Sequence, residues 1–100
     1  METKTLQLAG NPAESFVVPE LAGAGHASLI VIRCKRGFLM CGYLSLEKAE
    51  ELGDVAVRVA GANVKEVLAN KITGCTSKAK ELGVTEEMTG QEAAEILNQA

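Results

Sequence analysis

The chain has no tryptophan, one tyrosine and two phenylalanines in 100 residues, so it is short of the rings on which bases or flat cofactors stack. Its core must be built from Val, Leu, Ile and Ala, with Phe16, Phe38 and Tyr43 as the only rings. A basic excess is missing too. The formal net charge is −3, and without a basic stripe or interleaved aromatics a nucleic-acid partner is not expected. No apolar run reaches about 18 residues and no basic stretch leads into a shorter one, so neither a membrane span nor a secretory signal is expected. The compartment this implies is the cytoplasm. Cysteine is present but odd in number, three residues without framework spacing, which fits reduced thiols better than a disulfide scaffold.

What is present suffices for one domain, 1–100, that buries about two thirds of the surface its unfolded chain exposes. The acids sit mainly in the second half: Met1–Gly42 has four basic residues against three acids, and the remainder has six against ten. Thr3–Leu8 alternates polar and apolar residues as a strand, and Asn11-Pro12 after Gly10 breaks it. Ser15–Val18 reads as a second strand, followed by a loop over Glu20–Ala27. Leu29–Cys34 is apolar on both parities, with Leu29 and Val31 facing one way and Ile30 and Ile32 the other, so it belongs in the middle of a sheet. Lys35-Arg36-Gly37 turns the chain, with Gly37 at a position needing positive φ, into a fourth strand over Phe38–Tyr43.

From Ser45 the period becomes helical. Leu46, Ala49 and Leu52 share a face, Glu47, Glu50 and Glu51 take the other, and Gly53 stops the helix. A strand over Val55–Val59 follows. Asn63 with Glu66 opens a second helix to about Asn70, and Ile72–Cys75 makes a brief extended piece. Thr76–Leu82 is helical and closed by Gly83, and Thr89-Gly90-Gln91-Glu92 is a capping box before a last helix carrying Ala93, Ile96 and Leu97. The expected fold is α+β: a mostly antiparallel N-terminal sheet (1–44) followed by short amphipathic helices with one further strand (45–100, strand 55–59).

These helices cover one face of the sheet, whereas Leu29–Ile32 and Phe38–Tyr43 are apolar on both. The second face needs another protein surface, and a second copy of the chain is the economical one. The region 1–44 is therefore the expected oligomerisation region.

The run Arg36-Gly37-Phe38-Leu39-Met40-Cys41-Gly42 with Leu44, then Ala56-Val57-Arg58-Val59-Ala60-Gly61, then Glu81-Leu82-Gly83 followed by Gly90-Gln91-Glu92-Ala93, resembles the YunC-like family, domain of unknown function 1805, over almost the whole chain. The resemblance implies that the N-terminal β-rich region makes a tetramer. It supplies no activity. The chain departs from that family at Glu86-Glu87, a more acidic turn without Gly before Met88.

Candidate chemistry is sparse. Cys41 ends a strand just before the helix that starts near Ser45, and a thiolate is stabilised at a helix N-terminus, so it is the candidate nucleophile or redox thiol. The plain alternative is a small buried hydrophobe. A Cys3His zinc set of His26, Cys34, Cys41 and Cys75 lacks the close Cys pair of structural sites, so no metal or other cofactor is expected. Gly23-Ala24-Gly25-His26 precedes a strand instead of opening a helix and is no dinucleotide fingerprint. His26 on its loop, Arg58 inside an apolar strand, and Gly61 with Asn63 ahead of a helix are the candidate residues for a small anionic ligand. For Arg58 the structural alternative is an ion pair with Asp54, Glu47 or a neighbouring subunit. Two functions stand: a homo-oligomeric binding or structural module without catalysis, and a thiol enzyme or redox sensor using Cys41.

Overall fold

Leu6 and Leu8, two residues apart, lie on one side of the first strand of the structure, a computed structural model that describes residues 2–18, 29–42 and 44–99. This strand, β1 (Glu2–Leu8), pairs antiparallel with β2 (Asn11–Val18). The turn between them is Ala9-Gly10, both left-handed at φ 55° and 77°, and not Asn11-Pro12 as the sequence pattern suggests. Pro12 is tolerated because the two-residue turn puts it opposite Gln7 at a non-hydrogen-bonded pair, before the ladder to the next strand begins at Glu14.

β3 (Leu29–Arg33) and β4 (Phe38–Met40) continue the antiparallel order. Helix α1 (Leu46–Leu52) crosses over to β5 (Ala56–Val59), which runs parallel to β4. After α2 (Val64–Ala69), strand β6 (Ile72–Cys75) returns antiparallel to β5, and α3 (Ser77–Glu81) and α4 (Gly90–Leu97) close the chain. The six strands lie in the order of the chain, β1 to β6, so β3 and β4 are central as their two-sided apolar pattern requires. The fold is α+β and mostly antiparallel, with two strands in the C-terminal half where the sequence pattern gave one strand and an extended piece.

Helix starts follow the capping signals. Ser45, Asn63, Thr76 and Thr89 are the N-caps, and the Thr89–Glu92 box is reciprocal. At α2 the second half of the box is displaced by one residue: Asn63 Oδ1 accepts from the Glu66 amide, but Glu66 Oε1 accepts from the amide of Ala62. Gly37 does not adopt positive φ. It is needed for another reason, since a Cβ there would stand 2.4 Å from the Val55 carbonyl oxygen, and Phe38 donates to that same oxygen. The turn at Glu86-Glu87 closes through the Met88 amide and the Thr85 carbonyl without a left-handed residue, so its acids strain nothing.

The sheet has two unequal cores. On one face Ile30, Ile32, Leu39, Val57 and Val59 are buried beneath helices that contribute Val67, Ala79, Ala93 and Leu97. On the other, α1 covers only the β4–β5 side with Ala49 against Met40 and Ala56. Leu52, expected on the buried side of α1, is 65% exposed; of the helix only Ala49 is buried. Leu29, the register partner of Val18, packs against the main core as well, a position open to the end residue of a twisted strand.

Asn98 is fully buried and joins three parts of the chain. Its Nδ2 donates to the carbonyls of Leu8 and Asn11, and its Oδ1 accepts from the amide of Lys35. The β1–β2 turn, the β3–β4 turn and the end of α4 thus meet at one side chain. Among the described residues no helix is long and apolar enough to cross a membrane.

Candidate functional site

Cys41 follows the last residue of β4. Its amide donates to the Ile30 carbonyl at 3.1 Å, and its Sγ accepts from the Ile30 amide at 3.3 Å. The Cys41 carbonyl is thereby released to accept from the amide of Leu44. This ends the expected strand early, at Met40 and not Tyr43; Tyr43 itself lies outside the described residues. Cys41 is 2% exposed within the main core, the surroundings of a small hydrophobe. Cys34 and Cys75 are also buried and unpaired. Burial pushes the Cys34 thiol up to about 11 and raises that of Cys75, so neither tends towards thiolate at neutral pH.

Arg58 is half-buried on the face that α1 covers, in one cross-strand row with Met40 and Gly74. Its Nε donates to Thr73 Oγ1 at 3.3 Å, and Thr73 in turn donates to the Arg58 carbonyl. No ion pair to Asp54 or Glu47 forms among the described residues. The guanidinium borders a shallow cleft of about 470 Å³ whose other charges are Glu47 and Glu50. An anion there would meet two carboxylates, which disfavours the reading of Arg58 as an anion site.

Asn63 lies on the opposite face. A cleft of about 620 Å³ separates the β1–β2 corner from α2. Glu2, Lys4, Leu6 and Val17 form its strand wall, and Asn63, Val64, Lys65 and Leu68 its helix wall. The gap exists because α2 leans on α4, while α4 is the helix that packs on β1. Gly61 serves this packing: a Cβ there would stand 2.9 Å from the Val67 amide nitrogen, so only glycine lets the chain pass α2 so closely. The four expected ligand residues therefore do not form one constellation. Arg58 and Asn63 are on different faces, Gly61 packs against α2, and His26 lies outside the described residues.

Among the described residues, no helix covers the outer face of β1–β3. Thr3, Phe16, Val31 and Met40 make one cross-strand row. Met40 lies in the small core with α1, whereas Phe16, Val18 and Val31 are half-buried and belong to neither core. Glu14 and Arg33, paired across β2 and β3, flank them, and the Arg33 guanidinium lies 5.7 Å from the centre of the Phe16 ring.

The sequence model of a family described as a domain of unknown function, DUF1805, matches residues 40–97. The chain belongs to that family. The crystal structure of a protein of unknown function, TA1206 from Thermoplasma acidophilum, is similar with a TM-score of 0.83 and 25% identity, covering 96% of this chain and 91% of that one. This likeness extends the shared fold to the N-terminal strands, which the DUF1805 match does not cover. No curated protein matches the chain. Sequence reasoning for this DUF1805 domain missed Asn98 and the cleft between Lys4 and Lys65; neither leaves a local signal, since each depends on segments some 60 or more residues apart.

Proposed function

We propose that this DUF1805 domain is a homo-oligomeric binding or structural module, a tetramer on the family resemblance, that assembles through the outer face of β1–β3 and performs no catalysis of its own. One observation carries the reading: Phe16, Val18 and Val31 stand in a single patch on a face where α1 covers only the far half. A second copy suits the patch because its flanks carry both signs, Glu14 and Arg33, so a two-fold arrangement can set each against its opposite. A stable assembly needs about 1,000 Å² or more in total, more than three side chains supply, so the exposed Thr3 and Thr5 of β1 belong to the contact as well. The three unpaired thiols suit a reducing compartment, the cytoplasm.

Sedimentation velocity at micromolar concentration tests this. The expected result is an oligomer for the unaltered chain, and a smaller species with unchanged far-ultraviolet circular dichroism for Val31→Glu. A monomeric unaltered chain overturns the proposal, as does a Val31→Glu variant that keeps the full assembly.

A further inference from the structure

The cleft between the β1–β2 corner and α2 combines a mostly apolar lining, with the buried Ser15 on its strand wall, with two cations on opposite walls. Leu6 and Val17 come from the sheet and Val64 and Leu68 from α2, all four half-buried. Lys4 and Lys65 are exposed at its rim, one on each wall. In a chain of net charge −3 this pairing is notable, since the lysines bring positive charge to the edge of an apolar slot. Among the described residues of the lining Glu2 is the one carboxylate, on the strand wall with Lys4, against the two lysines. The volume, about 620 Å³, lies in the range of small-molecule pockets. The side chains reach it from the inner face of β1–β2, whereas Phe16 and Val18 point away from it by the alternation of the strand. Occupancy of the cleft is thus independent of assembly.

We propose that this cleft binds an amphipathic carboxylate, its unbranched aliphatic tail laid along Leu6, Val17, Val64 and Leu68 and its carboxylate held between the ammonium groups of Lys4 and Lys65. The tail supplies affinity by removing apolar surface from water. The two ammonium groups supply selection for an anionic head, as charge-assisted partners do. Asn63 adds a neutral polar group to the helix wall of the cleft.

The test is isothermal titration of the full chain with decanoate, hexanoate and decanol, with the sedimentation of the same sample recorded and amide shifts mapped by NMR. Decanoate is expected to bind once per chain, with each methylene beyond hexanoate adding about fourfold. Decanol and the Lys4→Glu/Lys65→Glu variant should each lose about tenfold or more. Both lysines are exposed, so the variant is expected to fold, and an unchanged melting temperature checks that it does. Shifts should centre on Leu6, Val17, Val64 and Leu68. Saturation absent at millimolar decanoate, undiminished binding by the variant, or shifts confined to the Phe16–Val31 face would each overturn the proposal. The recorded sedimentation reads assembly separately, so absent saturation or undiminished binding by the variant leaves that reading untouched.

Discussion

The amide of Ile30 donates to Cys41 Sγ, where a regular antiparallel pair would offer the Cys41 carbonyl. The thiol therefore does structural duty as the acceptor that closes the β3–β4 ladder. Native protein treated with iodoacetamide between pH 6 and 9 should label Cys41 only as fast as it unfolds, and Cys34 and Cys75 slowly too, since burial raises both thiols. Cys41→Ala should cost about 1–3 kcal/mol by leaving the Ile30 amide unpaired, measured by urea unfolding. Rapid labelling of Cys41 in the native protein near pH 7 would restore it as a reactive thiol.

Asn98→Ala should be among the most damaging single polar substitutions. It removes one hydrogen bond each from the Leu8 and Asn11 carbonyls and from the Lys35 amide, and a group left unsatisfied by burial costs about 1–3 kcal/mol before relaxation or water entry. The expected loss is about 3 kcal/mol. A loss below about 1 kcal/mol would mean that water replaces the side chain and that the three segments are held by apolar packing alone.

The contrast between Asn98 and Ser45 shows which parts of the fold were legible. Ser45, Asn63, Thr76 and Thr89 act on amides within three residues of themselves, so their meaning is written locally and every helix start could be read. Asn98 acts on residues 63 and up to 90 positions away, and nothing near it in the chain signals this. By its sequence Gly37 is a turn glycine needing positive φ, yet Val55, brought alongside by the parallel β4–β5 pair, is what excludes a side chain there. Of the candidate site, the two-sided apolar strands point to a face that, among the described residues, α1 covers only on the β4–β5 side. The cleft did not announce itself, because Lys4 and Lys65 read as ordinary surface charges until the β1–β2 hairpin and α2 are set facing each other.

The β1–β2 turn contains a correctable local misfit. Ala9 holds φ 55°, a left-handed conformation that costs an alanine about 1–2 kcal/mol and that asparagine accepts more readily. Ala9→Asn should therefore stabilise the domain by about 0.5–1 kcal/mol and raise the melting temperature by roughly 3–6 °C. Ala9 is exposed, so the larger side chain displaces no packing. An unchanged or lower melting temperature would mean that the turn relaxes away from this geometry in solution.

Glu50 makes the acid limb of the stability profile specific. Its carboxylate, on α1, accepts from the amide of Ser77 at 2.8 Å and from the Ser77 hydroxyl at 2.9 Å, at the first residue of α3. The amide bond first, then the hydroxyl, hold the carboxyl below its ordinary value of 4.5. A carboxyl whose folded value is depressed contributes stability above the unfolded value, and that contribution is lost as pH falls through the folded one. Glu50→Gln keeps one acceptor oxygen and removes the titration. The stability gap between the unaltered chain and Glu50→Gln should thus be constant from pH 8 down to about 5 and shrink below 4.5. Because the carboxylate is at the surface, salt should narrow the gap at neutral pH. Urea unfolding at a series of pH values measures it. A gap that stays level through acid would show that the ionised carboxylate gains nothing from Ser77, and that α1 and α3 are joined only through the sheet between them.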